Sequence, residues 1–460
     1  MSIFYDHTLK ACGKTYVFSI GGAGCEKRVT RTPKVINKDP IQIFGFGQDS
    51  IGIMKTDTQL LLSLADGHGP KEEGRIISYK IHEYVLTYIA LIQSDMIIML
   101  RKDDFDGITK IICEIFKNVN KIILSDDPIT SEFKTGGTTL TLLHKIIDPE
   151  NGSLYSLSYN VGDSPYFKIS LDGEIIQLTQ EQNCDNISSI EKYHNHCLKL
   201  DFKPSPIILN RFNIFSHFKT PWMGTDTIKP YIIETIDGKC KVTANTEVMK
   251  KFYENAPQNL KDQAFYCGGT QSIRGKPDNI KALKEGLFPM ENFGSTINGD
   301  LQNINSFGDK KSITDHNILC EPHISFNKIE KPHYDFVGSD GPIDCLTDDD
   351  ITEMFEEKPL MDMKEFTGFV SKTIDTKAVN GGFRLHKRPA PFSSVPMWDD
   401  NSFWVVETKI EVEDLEEEVV DEDLETTIIK LEIEHKKLLE LATKIKNEID
   451  EVNKTIGTLG

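Results

Sequence analysis

Aspartate recurs in this chain at one kind of place, the junction between an apolar strand-like run and a turn. Ala65-Asp66-Gly67-His68-Gly69 follows the run Gln59–Ala65, Ser339-Asp340-Gly341 follows Asp335–Gly338, and Asp399-Asp400-Asn401 adjoins Ser402–Thr408. A fourth acid, Asp49, lies in Gly47-Gln48-Asp49-Ser50, before another strand-like run. Asp-Gly is a common turn dipeptide, so each turn alone says little. Their recurrence in the same setting, in order along the chain, is what constrains the fold.

Between the turns the hydrophobic period changes twice. Thr15–Gly22, Gly47–Met54 and Gln59–Ala65 read as strands. From about Glu72 to Met99 apolar residues fall at helical spacing, through Ile77, Ile81, Tyr84, Tyr88 and Ile92. A second amphipathic helix carries Ile108, Ile112, Ile115, Val119 and Ile122 on one face. Strands return at Thr138–Ile147, Leu154–Val161 and Tyr166–Ser170, the last joined to Glu174–Leu178 through the hairpin signal Asp172-Gly173. After Asp335–Gly338, Thr347 is placed to cap a helix whose first turn is Asp348–Asp350. A helix over Met363–Ala378 and a closing strand at Ser402–Thr408 complete the pattern.

Two stretches stand apart. Between Gln182 and Ser295 the pattern dissolves into short polar pieces, a long insertion at about 183–295 with some structure of its own. Over 411–425 ten of fifteen residues are acidic and none basic, the composition of a solvated linker. Beyond it Leu424, Ile428, Leu431, His435, Leu438, Ala442, Ile445, Ile449, Val452 and Ile456 alternate in steps of four and three. That spacing predicts a coiled coil over 424–456, with a lone amphipathic helix as the alternative. Residues 1–410 then form the main domain.

A net charge of −19 argues against a nucleic-acid backbone as partner, since phosphate neutralisation needs clustered Lys and Arg. The nine cysteines are scattered with no CxxC pair, which reads as reduced thiols. Met1–Lys10 lacks the apolar core of a secretory signal, and Tyr84–Leu100 is interrupted by Gln93, Ser94 and Asp95, too polar to span a bilayer. A soluble, intracellular and cytoplasmic protein with no membrane partner is expected. Gly21-Gly22-Ala23-Gly24 lacks the Lys-Ser/Thr of a phosphate-cradling loop and reads as a turn, and His194 and His196 beside Cys197 read as surface histidines.

Carboxylates and a glycine carbonyl are hard oxygen ligands suited to Mg²⁺ or Mn²⁺. Two such ions about 3.5–4 Å apart clamp a phosphoryl group and acidify water enough to make it the nucleophile.

At these residues the chain resembles the protein phosphatase 2C family of metal-dependent serine/threonine phosphatases, from about Ile43 to Val406 with the insertion between. The residues that carry the resemblance are Gln48-Asp49-Ser50, Ala65-Asp66-Gly67-His68-Gly69, Gly136-Gly137-Thr138-Thr139, Asn160-Val161-Gly162-Asp163-Ser164, Asn298-Gly299-Asp300-Leu301, Phe307-Gly308-Asp309, Ser339-Asp340-Gly341 and Asp400-Asn401. It implies an α+β fold, a four-layer αββα sandwich of two antiparallel sheets flanked by helices, and two Mn²⁺ or Mg²⁺ ions. It also implies that Asp66 bridges the ions, that Gly67 lends its carbonyl, and that Asp340 and Asp400 hold one metal. Asp49 would orient water and His68 would act as general acid. Glu181 and Asp309 are the candidates for a third metal. The expected substrate is a phosphoserine or phosphothreonine protein, with a coiled-coil partner or a second copy at the tail.

The chain also departs from the family pattern. Five residues before Asp49, where the family carries an arginine that grips phosphate, stands Phe44. Arg28 or Arg31 would have to reach the site from another strand. The arginine expected after Asp163-Ser164 is Pro165, the tryptophan-bearing stretch after Asp340 is Pro342-Ile343, and the acid-histidine pair is Glu181-Gln182. Phe44 is the residue that favours the alternative function, a phosphatase-like binding module without turnover.

Overall fold

The computed structural model describes residues 2–25, 34–184, 186–209, 229, 231–245, 247, 295–297, 303–343, 346–380, 400–412 and 436. The chain divides into two units, Met1–Val412 and Glu413–Gly460. The coiled coil expected over 424–456 and the acidic run from 413 lie outside the described residues, Lys436 apart.

In chain order the first strands are β1 (Ser2–Ala11), β2 (Lys14–Cys25), β3 (Lys34–Lys38), β4 (Ile41–Phe46), β5 (Asp49–Lys55), β6 (Gln59–Ala65) and β7 (Gly67–His68). After three helices come β8 (Gly137–Thr138), β9 (Leu140–Ile147), β10 (Leu154–Val161), β11 (Tyr166–Ser170) and β12 (Ile175–Gln177). The insertion adds β13 (Ile207–Leu209), β14 (Tyr231–Ile236), β15 (Lys239–Ala244) and β16 (Ser295–Ile297). The chain ends its strands with β17 (Phe307–Gly308), β18 (His323–Ile329), β19 (His333–Gly338) and β20 (Asn401–Val412). The helices are α1 (Lys71–Leu91), α2 (Gln93–Arg101), α3 (Phe105–Lys121), α4 (Ile187–Lys199), α5 (Lys310–His316), α6 (Asp340–Ile343), α7 (Asp348–Glu356) and α8 (Met363–Asn380).

Two antiparallel sheets dominate. One has the order β1-β2-β20-β19-β11-β12, the other β18-β10-β9-β6-β5-β4-β3. Period-two alternation gives each strand two apolar faces. On β6, Leu60, Leu62 and Leu64 point between the sheets, against Phe18, Val337, Trp404 and Val406. The other face of that sheet, with Leu61 and Ala65, packs on Ile77, Ile81 and Val85 of α1 and on Ile112 and Phe116 of α3. The outer face of the first sheet, with Phe336, Phe403 and Val405, lies against Ile351 and Phe355 of α7 and Phe366 and Val370 of α8. Both faces of both sheets are therefore buried, which explains why strands such as β6 are continuously apolar rather than alternating with polar residues.

Buried polar groups tie the layers together. His82 of α1 lies 2.8 Å from Ser50 Oγ and 2.7 Å from Ser63 Oγ. Each hydroxyl also reaches a backbone carbonyl, Ser50 that of Ser78 and Ser63 that of Gly52. Burial pushes the His82 pKa down to about 3, and it does the same to His144.

Between the sheets, Lys145 Nζ of β9 forms a 2.9 Å ion pair with Asp335 Oδ2 of β19 and donates to His333 Nε2 at 2.9 Å. Tyr166 of β11 donates to the other Asp335 oxygen at 2.5 Å. Burial works against the Asp335 charge, yet Lys145, His333 and Tyr166 together hold its pKa below the usual carboxylate range. Lys145 is pulled down, because burial of the ammonium outweighs what a single carboxylate returns.

Several elements differ from the sequence expectation. The helical run over 72–99 is two helices, broken at Ile92. No single described helix is long and apolar enough to cross a membrane; α1 and α2 would meet that test only as a pair bent by 56°. Ser2–Ala11, for which the sequence pattern predicts no strand, is a full edge strand paired with β2. The strand expected at Ser402–Thr408 continues to Val412, so the first two residues of the acidic run belong to β20 and not to a linker. The insertion holds α4, whose Tyr193 and Cys197 pack with Cys184, Cys240, Val242 and Ile304 into a small core of its own. His194 is buried there and not at the surface.

Candidate functional site

The acidic turns meet at one end of the two sheets. β4 and β5 pair from Phe46↔Asp49, and β5 pairs with β6 through Ser50↔Ala65, which sets Asp49 beside the end of β6 and hence beside Asp66. In the other sheet Gly338↔Phe403 brings the end of β19 against the start of β20, so Asp340 and Asp400 emerge together. Ser339 N–H donates to the Ser402 carbonyl at 2.9 Å, and Ser402 N–H returns a bond to Ser339 Oγ. The sheets are joined across this end by two bonds. Ser402 Oγ donates to Asp49 Oδ2 at 3.0 Å, and Gln48 N–H donates to Asp400 Oδ2 at 2.9 Å. Gly47, at φ +82°, permits the second contact: a Cβ there would fall 2.5 Å from Asp400 Oδ2.

Asp66 is held from behind by the glycine-threonine motif. Its carbonyl accepts from Thr139 N–H at 2.9 Å and from Thr138 Oγ1 at 3.0 Å. Thr139 Oγ1 lies 3.0 Å from Ser164 Oγ, and Asn160 Nδ2 donates to Thr141 Oγ1 and to the Ser164 carbonyl. The motifs Gly136–Thr139 and Asn160–Ser164 are thus one hydrogen-bonded mesh. Gln182, where the family has histidine, belongs to the same frame: its side-chain oxygen accepts from Gly162 N–H at 3.0 Å and from Asn305 Nδ2 at 2.8 Å.

His68 is about a quarter exposed, and its Nε2 lies 2.7 Å from Asp309 Oδ2. Burial disfavours the charged ring, but Asp309, Asp163 and Asp340 overcome it and raise the His68 pKa. Asp163 is pushed up by burial and by the Glu181 charge. Asp309 therefore faces His68, whereas Glu181 faces Asp163. Asp163, in the motif Asn160–Ser164, belongs to this cluster through its carboxylate, and Asp-Ser after Asn-Val-Gly is its signal in the sequence.

The donor set suits a hard cation, with four carboxylates at one end of the sheets and two of them already oriented by Ser402 and Gln48. Among the described residues, no group of three or more His, Cys, Asp or Glu closes around one point as a metal cage. The phosphate-gripping side is different. Phe44 is buried between the sheets at 4% exposure, its ring 6.1 Å from that of Tyr5. The described arginines are engaged elsewhere, Arg75 with Glu72 and Arg101 with Asp148 and Glu150. Arg28, Arg31, Asp399 and the motif Asn298–Leu301 lie outside the described residues.

No family profile matches the sequence, and no curated protein matches it. The structure is similar to solved phosphatases of the 2C type. Serine-threonine phosphatase 2C from Toxoplasma gondii shares 10% identity at a TM-score of 0.45, over 89% of this chain and 99% of that one. The serine/threonine phosphatase of Staphylococcus aureus shares 11% at 0.38, over 84% and 97%. The catalytic domain of phosphatase PstP in complex with two manganese ions shares 13% at 0.37, over 85% and 99%.

Proposed function

We propose that this chain is a metal-dependent phosphatase acting on phosphoserine or phosphothreonine in proteins. The observation that carries the reading is the meeting of Asp49, Asp66, Asp340 and Asp400 with His68 at one end of the two sheets. Asp66, Asp340, Asp400 and the Gly67 carbonyl would hold two Mn²⁺ or Mg²⁺ ions, and Glu181 would add to a weaker third site. Such ions, when bound, neutralise phosphoryl oxygens and acidify water. Asp49, held by the Ser402 hydroxyl, would orient the attacking water. His68 supplies the proton to the departing serine or threonine oxygen. The protein works in the cytoplasm, and its tail recruits a coiled-coil partner or a second copy.

A second reading is supported by Phe44, which puts an apolar ring in the core where the family pattern has a cation. On that reading the chain binds through a phosphatase-like surface and does not turn over. Assay of the full chain with Mn²⁺ on an aryl phosphate and on phosphothreonine peptides separates the two, beside Asp66→Ala and Asp340→Ala. Turnover that chelation and either substitution abolish is expected. No turnover with metal present, or turnover indifferent to both substitutions, selects the binding module.

A further inference from the structure

Asp309 makes contacts that its candidacy as a metal ligand does not account for. One carboxylate oxygen, Oδ2, takes both His68 Nε2 at 2.7 Å and Ser306 Oγ at 2.5 Å. The residue is 2% exposed and adopts a left-handed backbone, φ +49°, uncommon outside glycine. Its own N–H donates to the Gly136 carbonyl at 2.8 Å, and the preceding Gly308 N–H donates to Asn120 Oδ1 at 2.9 Å. The backbone of Gly137 runs beneath the pair, and a Cβ on it would collide with both Asp309 Oδ2 and His68 Nε2. Four segments (the β7 turn, β8, the end of α3 and the β17 turn) are therefore shaped around one hydrogen bond.

We infer that Asp309 is the positioning residue of His68. Its carboxylate fixes the ring through Nε2–H, which leaves Nδ1 as the nitrogen that delivers a proton to the leaving oxygen. Ser306 holds the carboxylate in turn, and Gly137 is glycine because any side chain would part the two groups. In the reaction, water adds to phosphorus, the bond from phosphorus to the serine or threonine oxygen breaks, and its electron pair takes the proton from His68 Nδ1. Products are the free hydroxyl and dihydrogen phosphate, which keeps both protons of the water, and the neutral His68 ring regains its proton from solvent. This inference rests on the phosphatase reading for its kinetic consequence but not for the ring geometry.

Leaving-group dependence tests it. An alkoxide needs the proton and an activated phenolate does not, and a general acid contributes about 10²–10⁴-fold. In the full chain with Mn²⁺, Asp309→Ala should lower kcat on a phosphothreonine peptide by about 100-fold. It should lower kcat on p-nitrophenyl phosphate several-fold at most, with KM little moved on either substrate. His68→Ala should show the same selectivity, and the double variant should lose no more than the worse single. Asp309→Asn, which keeps an acceptor oxygen, should recover part of the loss. Equal losses on the two substrates, or additive losses in the double variant, overturn the assignment. If the native chain turns over neither substrate, the phosphatase reading has failed, and nitrogen-15 spectra of the His68 ring decide the geometry. A ring that carries a proton on Nε2, and loses this preference in Asp309→Ala, upholds the inference; a neutral ring protonated at Nδ1 alone, with Nε2 bare, overturns it.

Discussion

Removing Lys145 while keeping Asp335 should be among the most damaging single changes to this fold. Both side chains are fully buried, 2.9 Å apart, between the two sheets. At an effective dielectric near 20 that separation corresponds to about 6 kcal/mol of attraction, set against a desolvation cost of several kcal/mol per ion. The intact pair is therefore close to neutral in net stability. Its halves are not. Lys145→Met leaves Asp335 with the Tyr166 hydroxyl and a neutral His333, and stranding a buried charge costs about 3–5 kcal/mol. Lys145→Met with Asp335→Leu removes the stranded charge, and adding Tyr166→Phe removes the hydroxyl left without its acceptor, worth about 1–3 kcal/mol. Urea unfolding followed by Trp404, whose ring lies 6.3 Å from that of Tyr166, reads the series directly. The expected order is a large loss in the single variant, partial recovery in the double and further recovery in the triple. A single variant within about 1 kcal/mol of the native chain, or a double no better than the single, would refute the argument from desolvation.

Acid should weaken the fold before its carboxylates titrate. His82 and His144 have folded pKa values pushed to about 3, below the unfolded value near 6.5. The unfolded chain therefore binds more protons in that window, and stability falls with falling pH by about 1.4 kcal/mol per unit for each histidine. Urea midpoints at several pH values between 6.5 and 4 measure the slope, and a flat profile contradicts it. Phe44→Ala should cost about 3–5 kcal/mol, as expected for an aromatic buried in a core, read by the same unfolding assay. Thr347 caps α7, accepting from Asp350 N–H at 3.1 Å while Asp350 Oδ2 accepts from Thr347 N–H at 2.9 Å. Thr347→Ala should therefore cost about 1 kcal/mol of stability in the same assay.

Much of the frame was legible because it is periodic. β6 and β10 span the same residues as the runs read from sequence, and Thr347 caps the helix that follows it with Asp350 closing a capping box. Boundaries were lost where tertiary contacts set them, as in β20, which continues to Val412 because β2 offers it a partner as far as Lys14. β1 was missed because its exposed face, Ser2, Phe4, Asp6, Thr8 and Lys10, is mostly polar, and His7 interrupts the inward one, a weak apolar signal on an edge strand. α4 was missed because its apolar residues, Ile190, Tyr193 and Cys197, meet partners from β14, β15 and the segment near Ile304, far apart in sequence. The acidic turns were visible as turns. That Asp309 would face His68 was not, since the contact depends on two left-handed residues, Gly308 and Asp309, and on the bare backbone of Gly137.

The pairing of β2 with β20 has a consequence in time. Twelve residues from Lys14 to Cys25 lie against twelve from Asn401 to Val412 in the middle of a sheet, so the two strands find each other across nearly the whole of this unit. Closing a loop that long is slow relative to forming local helices and hairpins. A growing chain can lay down β4 to β6 with α1 long before β20 exists. Until then β2 and β19 lack the strand that joins them, and Asp400 is not beside Gln48. The acidic end of the sandwich is completed by one of the last strands to be synthesised, so its assembly reports that the whole unit has closed.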